Sequence, residues 1–169
     1  IALCLAAPLE FGLQPLAEDS KYRAEGFTKY TEVTAPNGKA ILIIAQKGVR
    51  DIAVARARNL LKFFLTNVPN SKYGADKTAV TNAMANNHAM LMMPEGEHRE
   101  GKEPEIEAQP LFESETPIDG STWYLKNNWD HRDAAFEEIF HLVHDTGIGT
   151  YMRGALPAYQ RELKAEATK

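Results

Sequence analysis

The sequence predicts an α+β domain in which a small mixed or antiparallel sheet packs with helices, and three observations carry that prediction. Residues 27–34 and 39–46 are β-rich runs separated by the turn formers Ala35, Pro36, Asn37 and Gly38. Residues 49–67 bear apolar side chains at helical spacing. Residues 134–147 repeat that spacing and end in glycine. The order hairpin, helix, helix, strand, long loop, strands, helix, helix is that of an α+β or α/β domain, and α+β is the reading adopted.

The first two runs read as a β-hairpin. Its second strand contains Ala-Ile-Leu-Ile-Ile-Ala at 40–45 and is expected to be buried on both faces, ending at Lys47-Gly48. In 49–67, Ile52, Val54, Ala55, Leu60, Leu61, Phe63, Phe64 and Leu65 recur with helical period while Arg50, Arg56, Arg58 and Lys62 fall between them. Val68-Pro69-Asn70-Ser71 breaks this helix, and Asp76 is the expected N-cap of a second helix running to about Asn87. Residues 89–93 are short, apolar and followed by Pro94, which predicts a strand.

Residues 96–110 are dense in Glu and hold Pro104 and Pro110, a composition expected of an exposed loop. Leu111-Phe112 and residues 121–125 read as short strands around a turn at 117–120. Residues 127–132 are a polar connection, Asp133 caps the helix at 134–147, and a final helix is predicted over 157–167. The whole of 1–169 is read as a single domain, and its two ends as those of a piece of a longer protein.

Composition narrows the function classes. The formal net charge is -4 and the pI about 5.8, so no excess of Lys and Arg is available to neutralise a phosphate backbone, and nucleic acid is not an expected partner. The longest apolar run, residues 1–9 with Pro8 inside it, is far shorter than the roughly 20 residues of a membrane-spanning helix. That run reads as a buried first strand or apolar arm. Its other reading, the tail of a signal-peptide apolar region, would direct the protein to the cell envelope or outside it. Cys4 is the only cysteine and reads as a buried apolar residue.

The chemistry concentrates in the helix at 134–147. At about 100° of rotation per residue, Glu137, His141 and His144 fall within roughly 60° of one another, with Glu138 and Asp145 along the adjoining flank. Ala135, Ile139, Leu142 and Val143 point the other way, toward a core. Imidazole and carboxylate groups three and four residues apart can converge on one divalent ion. The competing reading is a solvated helix face with ordinary i,i+4 pairs such as Glu137 with His141.

Glu137-Glu138-Ile139-Phe140-His141 resembles the His-Glu-x-x-His helix of zincin metallopeptidases, with Glu137 where the first ligand histidine would stand. The order of segments over roughly 27–147 is similar to a zincin catalytic domain. The resemblance implies a zincin-like fold, His141 as a metal ligand and Glu138 as the general base. His144 and Gly147 occupy the places where extended zincin motifs put a glycine and a further ligand. Other zincins take a glutamate from a later helix, for which Glu162 and then Glu166 are positioned. The expectation is therefore a domain that binds zinc or another divalent metal through His141 and either Glu137 or His144. It would hydrolyse a peptide or protein substrate, or be an inactive relative. The alternatives are a non-catalytic binding or structural domain and a non-peptidase metalloprotein with a carboxylate-rich site.

Overall fold

A computed structural model of the chain describes residues 10–98, 104–118, 133–149 and 154–169. Five strands form one mixed sheet: β1 (Gln14–Pro15), β2 (Phe27–Thr34), β3 (Ala40–Gln46), β4 (Met90–Met93) and β5 (Gln109–Pro110), adjacent in that order. Strands β1, β2 and β3 are antiparallel neighbours, and β4 and β5 add in parallel. Among the described residues four α-helices, α1 (Asp51–Leu65), α2 (Thr78–Asn86), α3 (Ala135–Val143) and α4 (Pro157–Ala167), complete the α+β architecture that the patterning predicts. No helix among the described residues is long and apolar enough to cross a membrane.

The central strands are apolar on both sides because both faces of the sheet are covered. Ile41, Ile43 and Ala45 of β3, with Leu91 and Met93 of β4, join the helices in the larger core. The alternate residues Ile44, Met90 and Met92 pack with Phe27 in a smaller cluster on the second face. That face is covered by Leu16 and Tyr22 from the N-terminal arm and by Ile106 and Ala108. The hairpin register pairs Val33 with Ile41 and Thr31 with Ile43.

In α1 the stripe turned to the core is Ala53, Val54, Ala57 and Leu61, whereas Ile52 and Phe63 face outward. Small residues let the helix lie close to its neighbours, and α1 packs directly on α3. The N-cap of α2 is Lys77 rather than the expected Asp76, which stands one residue earlier and accepts a hydrogen bond from the Thr78 amide on its Oδ1 at 2.9 Å.

Two expectations need correction. The stretch 96–110 is not wholly an exposed loop, because its end alternates exposed Glu105 and Glu107 with inward Ile106 and Ala108 and then pairs with β4. The strand therefore falls at Gln109–Pro110 rather than at Leu111-Phe112, both of which are buried just beyond it. Residues 1–9 with Cys4, the expected strand at 121–125 and the connection 127–132 with His131 lie outside the described residues.

Candidate functional site

The start of α3 is fixed by Asp133. Its Oδ1 accepts from the Ala135 amide at 3.2 Å, and its two oxygens take a forked pair of hydrogen bonds from Arg56 of α1 at 3.2 and 2.6 Å. This bidentate clamp holds the helix in register against α1. Ala135, Ile139, Leu142 and Val143 then enter the core, as the spacing requires.

The end of the helix departs from the expected stop at Gly147. Residues His144–Ile148 form a π turn, closed by the Gly149 amide donating to the His144 carbonyl at 2.7 Å. Gly149, at φ 102°, ends the element. Gly147 is instead buried against α2, where an added Cβ would lie 2.6 Å from Met84 Cγ and 2.9 Å from Val80 Cγ1. Asn87 secures the turn from the same side, its Nδ2 donating to the Thr146 carbonyl at 2.7 Å.

On this framework the ionisable residues separate into three neighbourhoods. Glu137 and His141 stay together on the outer face, Oε1 to Nε2 3.9 Å, with side chains 49% and 50% exposed. Glu138 turns toward the sheet, where its Oε2 accepts from Gln109 Nε2 at 2.7 Å. His144 turns the other way and is only 17% exposed.

The His144 ring stacks on Phe140 with centroids 5.8 Å apart and planes 9° from parallel. Its Nδ1 lies 3.4 Å from Asp145 Oδ1, and its Nε2 meets the side-chain amide of Gln160 in α4. His144 is thus built into a packed contact between the π turn and α4.

Glu162 is drawn away from the helix. It accepts from Lys72 Nζ at 2.5 Å, and its hydrogen bonds with Lys72 and Tyr73 hold its carboxyl below the usual carboxylate range. Edge-to-face contact between Tyr73 and Tyr159 reinforces this docking of α4. Glu166, in the last turn of α4, pairs with Lys169 just beyond it.

Among the described residues no group of three or more His, Cys, Asp or Glu could hold a metal ion. Catalytic zinc generally takes three protein ligands and one open position. The described residues do not complete such a set. Beside the pair Glu137 and His141 lies an aromatic row not anticipated above, in which Phe64 of α1 contacts both Phe136 and Phe140 with centroids 5.8 Å apart. Its signal was the i,i+4 spacing of Phe136 and Phe140.

No protein-family model, curated protein or solved structure matches this chain.

Proposed function

We propose that the chain is a zincin-like domain that takes a divalent metal ion, zinc foremost, on Glu137 and His141 and has little or no hydrolytic turnover. The observation that carries this reading is the pair itself. A carboxylate and an imidazole one helical turn apart are 3.9 Å from each other, open to solvent, on a helix whose opposite stripe is buried. Further support comes from the packing of α3 on α1 over one face of a mixed sheet, the setting that the resemblance to zincins implies. Glu138 follows Glu137 in sequence and is the residue that the resemblance would make a general base, while its carboxylate is turned to Gln109 at the end of β5.

Weak turnover follows from the ligand count. Two protein groups leave an exposed ion strongly hydrated and poorly oriented, so its bound water is not acidified as it is at a closed catalytic centre. A peptide is the substrate class for any residual activity. A second reading, a binding domain without a functional metal, is favoured by the enclosure of His144 between Phe140, Asp145 and Gln160.

Zinc titration of chelator-treated protein by calorimetry separates the two. The proposal expects one ion per chain, lost in His141→Ala and weakened in Glu137→Ala, with peptide cleavage at or near background. Absence of zinc uptake by the unmodified chain would overturn it in favour of the metal-free reading.

A further inference from the structure

We infer that the groove on the second face of the sheet is a docking site for an extended basic peptide in which Lys or Arg side chains flank apolar ones. The groove has a volume of about 760 Å³ and lies between the 3-10 helix at Lys21–Glu25 and residues 105–109. Leu42 and Met90, from neighbouring strands, form its apolar floor with Ile106. An apolar side chain laid there gains by leaving water.

The walls carry the opposite preference. Glu25 stands on one wall, Glu105 and Glu107 on the other, all three exposed, and Asp145 of the π turn adds a fourth carboxylate. The basic groups of the lining are Lys21 and His88, and Lys21 Nζ already lies 5.1 Å from the centroid of the Tyr22 ring. Four carboxylates against Lys21 and His88 leave the lining net acidic. A rim of this sign attracts cations and repels phosphate backbones and anionic lipid surfaces.

The spread of the carboxylates selects among cationic ligands. Glu25, Glu105 with Glu107, and Asp145 come from three separate segments of the lining, more carboxylates than one ammonium can neutralise. Several cations carried along a chain can, and the extended backbone between them places apolar side chains over Leu42 and Met90. This reading is independent of metal at His141, which does not line the groove.

The test is fluorescence anisotropy of a labelled octapeptide alternating leucine and lysine, titrated with the chelator-treated whole chain, beside an isomer with glutamate in place of lysine. The lysine peptide should bind saturably and the glutamate peptide should not. Affinity should fall by about fivefold or more in Glu105→Gln/Glu107→Gln, whose positions are exposed and whose fold can be checked by circular dichroism. Amide shifts on peptide addition should centre on Tyr22, Leu42 and Met90. Undiminished binding by the neutralised variant, binding of the glutamate peptide, no binding of the lysine peptide, or shifts centred on Phe136 and Phe140 would each overturn the assignment.

Discussion

Glu138 and Gln109 share a hydrogen bond of 2.7 Å that joins the inner flank of α3 to the last strand of the sheet. β5 contributes only two paired residues, so this side-chain link is a substantial part of what holds its end to the helix layer. The position that the zincin resemblance assigns to a general base thus also has a structural role. Removing the carboxylate with Glu138→Ala should lower stability by about 1 kcal/mol, the usual worth of a half-buried hydrogen bond. Glu138→Gln keeps an acceptor oxygen and should cost less. Urea denaturation measures both, and zinc uptake should be unchanged in each. Loss of zinc by Glu138→Gln at unaltered stability would make Glu138 a ligand instead.

Gly147 sets how closely the π turn approaches α2. A methyl group there would meet Met84 Cγ at 2.6 Å, Val80 Cγ1 at 2.9 Å and the Val80 carbonyl at 3.1 Å, too near for the side chains alone to relieve. Gly147→Ala should therefore destabilise the fold by about 1 to 3 kcal/mol, the range for overpacking a core. Because the turn carries His144 and Asp145, it should also loosen the contact with Gln160 in α4. Adding Val80→Ala removes one clash, and the double variant should recover part of the loss. A melting temperature for Gly147→Ala equal to that of the unmodified protein would contradict the packing described.

A half-buried ion pair, Lys29 with Asp51, ties part of the fold's stability to pH. Burial pushes the Asp51 carboxyl up, but the hydrogen bond from Lys29, the Glu10 amide and the lysine charge outweigh it, leaving the group below its ordinary 3.8. The Lys29 ammonium, 2.6 Å away, also donates to the Val49 carbonyl, so the pair fastens β2 to the start of α1. A carboxyl with a depressed folded value stabilises the protein above the unfolded value, and that stabilisation is lost as pH falls through the folded one. The stability advantage of the unmodified protein over Asp51→Asn should be constant from neutral pH to about 5 and shrink below about 4. Denaturation at a series of pH values tests this, and a difference independent of pH would refute it.

Local chemistry explains which parts of this architecture could be read directly. The hairpin rests on turn residues adjacent in sequence, and α4 begins at Pro157, whose fixed backbone suits a first helical position. β5 was misplaced because its partner Leu91 is far away in sequence, and nothing in the Glu-rich stretch announces a parallel pairing. In α3 the division into a buried stripe and an ionisable flank was legible from periodicity alone. The fate of His144 was not, because its partner Gln160 arrives only when α4 docks, and the π turn depends on packing against Met84 and Val80.

The most direct test of the zinc proposal is Glu137→His. Position 137 is one turn before His141 on an exposed helix face, so the backbone spacing of a two-histidine site is already present. A carboxylate at 137 places negative charge on the ion and weakens it as a Lewis acid, whereas a neutral imidazole gives zinc the softer nitrogen ligand it favours. The substitution should tighten zinc binding by about tenfold, equivalent to about 1.4 kcal/mol, at little cost in stability because the side chain is exposed. Competition with a chromophoric chelator measures the affinity, which should fall in acid because protons compete with zinc for the imidazole nitrogens. Activity should rise less than affinity, since Glu137→His replaces a ligand without adding a third. Unchanged zinc affinity would show that this face does not hold the ion. Vigorous metal-dependent peptide cleavage by the unmodified chain, abolished by Glu138→Gln, would show that glutamate at 137 already serves a working catalytic centre.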